Sequence, residues 1–212
     1  LEEGGRPEKQ KEAKDNINPQ QSNSKTAYFS ILAIALLIII GTAIYSNTFH
    51  SPFQFDDECN ITDNPDIKEL SDLRAIFNFM PTRFITDLSL AVNYHLGRDN
   101  VLGYHIFNLL VHLFAAIMVW WLVILTLRTP AFKEKKISPH SGIIAFFTAI
   151  IFVSHPLQTQ GVTYIIQRAA SLATLFYISS LALYVKSRLS LYQGTGYRVQ
   201  GTVSYALSFI AL

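Results

Sequence analysis

The chain has 212 residues, half of them hydrophobic, and a formal net charge of +2. This balance is too apolar for an ordinary soluble domain and too nearly neutral to argue for a nucleic acid partner. Its one cysteine, Cys59, excludes an internal disulfide, and no neighbour marks it as an activated thiol.

Residues 1–26 are polar, with Pro, Gln, Asn and mixed Lys and Glu but no apolar period, and they predict a disordered tail. The charge-free stretch Ala27 to Tyr45 follows. It is longer than a signal-peptide core and lacks a small-residue cleavage pattern, so it reads as an uncleaved membrane anchor. Further stretches without Lys, Arg, Asp or Glu run from Val101 to Leu127, Gly142 to Val153 and Ala169 to Val185. Helices satisfy their own backbone in lipid, and about 20 apolar residues cross it. The expected membrane domain is therefore 27–212, with helices at about 27–45, 101–127, 138–154 and 169–186 and the start of a fifth at 199–212.

The third of these is the short one. Gly142 to Val153 gives only about 18 Å of helix. It either extends through Ile137 and Ser154 to span, or forms a re-entrant hairpin. The first residue is Leu1 rather than Met, and the chain stops inside an apolar run. Both features point to a fragment.

Basic residues set the expected orientation. They cluster in the tail (Arg6, Lys9, Lys11, Lys14, Lys25), after the second helix (Arg128, Lys133, Lys135, Lys136) and after the fourth (Lys186, Arg188, Arg198). Residues 46–100 instead hold nine Asp and Glu against four Lys and Arg. The rule places the N-terminus in the cytoplasm and the 46–100 loop outside. Within that loop, Leu70 to Phe79 and Phe84 to Leu96 carry apolar residues at helical spacing, including Leu73, Phe77, Leu88, Ala91 and Val92, and predict amphipathic interfacial helices.

Three clusters carry the candidate chemistry. Asp56, Asp57 and Glu58 are adjacent acids that suit a divalent cation such as Mg or Mn, or the removal of a proton from a hydroxyl. A solvated acidic loop is the plain alternative. His105, Asn108 and His112 lie within about 60° on one helix face, either lining a cavity or bonding a neighbouring helix. The third cluster is His155-Pro156 with Gln158, Gln160, Gln167 and Arg168, where Arg168 could meet a phosphate or carboxylate or could snorkel to headgroups. Arg83 and Asp87 are spaced for a helical ion pair.

In their order these motifs resemble the N-terminal membrane part of the TMTC-like family, the transmembrane and tetratricopeptide-repeat proteins. The resemblance rests on Phe55-Asp56-Asp57, Arg83, Asn93-Tyr94 and Gly103-Tyr104-His105 with Asn108 and His112. It continues through His155-Pro156-Leu157-Gln158-Thr159-Gln160 and Tyr164 to Ser171. That family is similar to the GT-C glycosyltransferases. The resemblance implies an all-α, polytopic membrane helix bundle of about four to five helices and an inverting transfer of sugar from a polyprenyl-phosphate carrier. The acceptor would be a hydroxyl of a protein or glycan on the extracytoplasmic side. It further implies Asp56 or Asp57 as base or metal ligand, Arg168 at the donor phosphate, and His155 and His105 in the same cavity. A bacterial inner membrane is the expected location. The rival expectation is a non-catalytic scaffold joined to a repeat domain.

Overall fold

The computed structural model describes residues 19–192 and 198–210, and every regular element among them is helical. In chain order the α-helices of five residues or more are α1 (Pro19–Tyr45), α2 (Leu73–Phe79), α3 (Phe84–Gly97), α4 (Val101–Leu127), α5 (Ser141–Ser154), α6 (Thr159–Thr163), α7 (Arg168–Tyr192) and α8 (Arg198–Ile210). The contacts divide into two units, one ending at Leu36 and one beginning at Leu37. The packing and the site described below lie in the second. Of the expected tail, residues 1–18 lie outside the described residues, and 19–26 are already helical, so α1 starts before the boundary at 27.

Three helices are long and apolar enough to cross a membrane: Tyr28–Thr48, Val101–Leu127 and Ile165–Tyr192. A fourth span is available from Ser138–Ser154 with Pro156–Thr163, a pair bent by 51°. The bend has a local cause. His155 precedes Pro156 and takes extended angles, φ −68° and ψ 129°, which proline imposes on the residue before it. The short third helix is thus lengthened by a second piece at an angle.

The molecule is an integral membrane helix bundle, and α4 shows why. Its start is fixed by Asn100, whose side chain accepts from the Leu102 N–H at 3.1 Å. One face then exposes Ile106, Leu110 and Phe114, and α5 similarly exposes Ile143, Phe147 and Ile151. Large apolar side chains four residues apart with nothing over them are lipid-facing stripes. The opposite face of α4 buries His105, Asn108 and His112. Along α4 the polar groups thus turn inward, beside apolar neighbours such as Leu109 and Leu113, and the large apolar ones turn outward.

Close packing tightens the middle of the bundle. A Cβ added at Gly41 would lie 2.6 Å from Leu113 Cδ2 and 3.1 Å from Val153 Cγ1. Gly41→Leu should therefore push α1 off α4 and α5 and cost about 1–3 kcal/mol by overpacking. Thermal unfolding in detergent checks this, and an unchanged melting temperature would count against the contact.

The 46–100 loop folds onto the bundle end. Ile61, Ile67, Ile76, Leu90 and Ala91 bury together against Tyr104 of α4 and Ile165 and Ile166 ahead of α7. The two amphipathic helices are present as α2 and α3, and Asp72 caps α2 by accepting from the Ala75 N–H at 3.0 Å. Of the spaced apolar residues, Ala91 of α3 is buried. Ile76 is buried where Leu73 and Phe77 are exposed, because α2 packs on the loop's own core.

Candidate functional site

All three sequence clusters meet at the end of the bundle capped by the loop. The polypeptide after α1 reaches His105, whose Nε2 lies 2.9 Å from Ser51 O. It then turns at Phe55, a non-glycine residue with φ 49°. A bulky residue in this region is strained, and such strain marks sites where backbone direction matters. Here it sends successive carboxylates to opposite fates.

Asp57 turns inward and is only 1% exposed. Its Oδ2 accepts from the Gln54 N–H at 3.0 Å and its Oδ1 from the Ile166 N–H at 2.8 Å. Burial pushes its pKa up. The two backbone bonds and the charge of His105 pull it back, and Asp56 pushes it up again. Asp57 is thus a clamp between the loop and the segment before α7. Asp56 turns outward: its side chain is exposed, while its N–H donates to Tyr164 Oη at 3.0 Å. Phe55, 83% exposed, stands edge-on to the same Tyr164 ring. The base expected at Asp57, or at its neighbour Asp56, thus has two candidates in different surroundings, one buried and one exposed.

Both Asp57 oxygens already accept backbone donors, and no three His, Cys, Asp or Glu side chains converge among the described residues. No step below is routed through a metal.

The polar face of α4 serves broken backbone. Between α6 and α7 the chain leaves regular helix, and carbonyls lose their ladder partners. Asn108 Nδ2 lies 3.2 Å from Ile165 O and 3.4 Å from both Val162 O and Tyr164 O. His112 Nε2 lies 3.3 Å from Val153 O, near the bend before Pro156. Irregular backbone at membrane depth is tolerated where protein supplies such partners. Both side chains bond backbone of neighbouring segments, and His112 also lines a cleft. His105 is 1% exposed and supports the loop from beneath through Ser51 O, while its Nδ1 is buried without a hydrogen-bond partner. His155 is exposed, and its Nδ1 accepts the Leu157 N–H at 3.2 Å, capping the turn that follows.

Arg168 departs furthest from expectation. It is 0% exposed. Its Nε donates to Asn108 Oδ1 at 2.7 Å, Nη1 to Ser89 Oγ at 3.1 Å and Nη2 to Tyr104 O at 3.1 Å. The guanidinium also lies 4.4 Å from the Phe107 ring centroid. In this structure the guanidinium is sealed from solvent and each of its nitrogens donates inside the bundle. It ties α3, α4 and α7 together. Ser89, its partner on α3, has no distinctive sequence signal.

The expected Arg83–Asp87 pair is also not formed as a hydrogen-bonded pair. Arg83 Nε donates to Met80 Sδ at 2.7 Å, and Asp87 Oδ2 is buried without a partner. Burial pushes the Asp87 pKa up to about 6, although the charge of Arg83 pulls the other way. The fold therefore favours the neutral acid. The associated stability is complete below about pH 4 and is lost as pH rises through about 6. Asp87→Asn should match wild type near pH 4 and melt higher at pH 8, by at most about 3 kcal/mol. Melting curves at the two pH values check the sign, and an equal difference at both would overturn it.

A polar cleft of about 220 Å³ lies between α4 and the start of α7, lined by His112, Gln158, Gln160, Gln167 and Ser171 among others. The third cluster's glutamines meet there, and no charged residue joins them.

No family model matches the chain, and no solved structure matches it. Curated proteins do. The chain is 29% identical over 175 residues to human Protein O-mannosyl-transferase TMTC3, covering 76% of this chain and 18% of that protein. It is 31% identical over 161 residues to human Protein O-mannosyl-transferase TMTC2, covering 69% and 18%. The chain is TMTC-like. The Caenorhabditis elegans Protein O-mannosyl-transferase F38B6.6 is 30% identical to this TMTC-like chain over 168 residues, covering 72% and 23%. The chain thus spans about a fifth of the length of the relatives it matches. These relatives are animal proteins and lend no support to a bacterial membrane.

Proposed function

We propose that this segment carries the catalytic base and donor side of a membrane glycosyltransferase that moves a mannosyl group to a hydroxyl of a protein. The observation that carries the reading is the split of two adjacent acids. Asp57 is clamped, so Asp56 is presented to solvent on a strained, fixed turn beside Phe55 and Tyr164. The relatives, each named as a protein O-mannosyl-transferase, supply the group and the acceptor class.

In the proposed step, Asp56 takes the proton of the acceptor hydroxyl. The oxygen attacks the anomeric carbon from the face opposite the leaving group, and a carbon–oxygen bond forms. The bond to the carrier phosphate breaks, and a polyprenyl phosphate leaves with the electron pair. A membrane carrier suits a site at the end of a lipid-embedded bundle. The basic tail and inner loops favour a cytoplasmic N-terminus and an acceptor outside the cytoplasm.

The test uses the complete gene product in proteoliposomes, with a polyprenyl-phosphate mannose and a serine- or threonine-bearing acceptor. Transfer by wild type that is lost in Asp56→Asn supports the reading. Wild-type folding without transfer, or an Asp56→Ala protein that retains its function, would favour a scaffold instead.

A further inference from the structure

A groove on the outer flank of the bundle has one feature that the other polar cleft lacks. It holds about 640 Å³ between the loop helices and the first two turns of α7, a volume within the range of about 300–1,000 Å³ usual for small-molecule sites. Phe77, Phe84 and Ile85 form one wall, with Leu172 and Phe176 opposite. Ala169, Ala170 and Ala173 leave the room between them. Arg83 is the one charged residue lining it. Asp87, on which the charge of Arg83 acts, does not line the groove.

The walls are apolar, the groove opens where a loop helix meets a membrane span, and a single cation sits beside Phe84. An apolar chain ending in an anion fits that arrangement: the chain lies on the rings, and the anion meets the guanidinium. Arg83 is half-buried, and its Nε is bonded to Met80 Sδ, which fixes the head of the side chain. Arg168 has all three of its nitrogens engaged inside the protein. It does hold the groove together, since its bond to Ser89 draws α3, one wall, onto α7, the other. The glutamine-lined cleft has no charged side chain and offers nothing comparable to a phosphate.

We infer that the groove between α2, α3 and α7 seats the isoprenoid chain of a lipid phosphate, with Arg83 meeting the phosphate. This rests on the glycosyltransferase reading for the identity of the lipid, and it moves the phosphate contact from Arg168 to Arg83.

The test is binding, measured apart from transfer. The detergent-purified complete protein is titrated with a short-chain isoprenyl phosphate, beside the matching isoprenol and beside phosphatidylglycerol. Saturable binding of the phosphate, at least tenfold weaker in Arg83→Gln and in the groove-filling Ala169→Leu but largely kept in Arg83→Lys, is the expected result. Equal binding of the isoprenol, preference for phosphatidylglycerol, or unchanged binding in both variants would overturn it. A diazirine-bearing isoprenyl phosphate on wild type adds a readout independent of variant folding. Labels on residues 77–86 and 169–176 support the groove, and labels confined elsewhere sink it. Binding without sugar transfer would leave the groove standing and remove the catalytic reading. Transfer with an unchanged KM in Arg83→Gln would do the reverse.

Discussion

Asp56→Asn should lower mannosyl transfer by about 10²–10⁴-fold, the usual contribution of a positioned general base, with no loss of thermal stability. The side chain is exposed, and the bonds the residue makes to Tyr164 Oη and Asn60 Nδ2 run through its backbone N–H and carbonyl, which the substitution keeps. The loss should therefore fall on kcat, with donor binding retained. Steady-state kinetics in proteoliposomes, with a melting curve on the same sample, measure both. A protein that keeps transfer within twofold of wild type would remove Asp56 as the base.

The neighbouring variant is the necessary control. Asp57→Asn replaces one carboxylate oxygen by an NH₂ that meets a backbone N–H, at Gln54 or at Ile166. Either choice sets two donors against each other at a buried position, so the clamp between loop and α7 weakens and the melting temperature falls. Activity falls as well, but through loss of position. If the two variants behaved in the opposite sense, with Asp57→Asn stable and dead and Asp56→Asn active, the assignment of roles would be reversed.

Much of the architecture is legible in the residue order. The lipid-facing helices follow from charge-free length, the loop helices from spacing, and the shared face of His105, Asn108 and His112 from the helical repeat. These are local properties, and a window of sequence contains them. What the sequence does not carry is the direction of single side chains. Two adjacent aspartates are equivalent on paper, and only the positive φ at Phe55 and the N–H of Ile166, distant in the chain, make one a clamp and the other a free acid. Arg83 illustrates the same limit. Four-residue spacing suggests a pair with Asp87, but Arg83 precedes α3, in a turn started by Pro81, and its Nε reaches back to Met80. Arg168 was equally ambiguous, because a membrane arginine that snorkels and one that is sealed have the same composition around them. Its partner Ser89 sits on a different element and has no distinctive sequence signature.

Arg168→Met should destabilise the membrane domain by on the order of 3 kcal/mol or more, since hydrogen bonds to a charged group contribute roughly 1.5–3 kcal/mol and three are removed together. The lower end is the better guide, because polar groups inside a membrane find substitutes when the fold loosens. Asn108 Oδ1 would be left buried and bare, and Ser89 would lose its tie to α7. Arg168→Lys should rescue little of this. An ammonium is a compact point charge, and it cannot reach Asn108, Ser89 and the Tyr104 carbonyl in the three directions that a planar fork serves. Detergent-resistance melts of wild type and both variants give the stability, and isoprenyl phosphate titration on the same samples gives the donor site. Both variants should melt well below wild type, and donor affinity should fall with them because α3 no longer holds its wall of the groove. A different pattern would return Arg168 to the phosphate: a wild-type melting temperature in Arg168→Lys, with donor affinity alone reduced. Direct contact and indirect support thus separate on one pair of measurements, because a residue that only touches ligand leaves the apo fold unchanged, whereas one that joins three helices cannot.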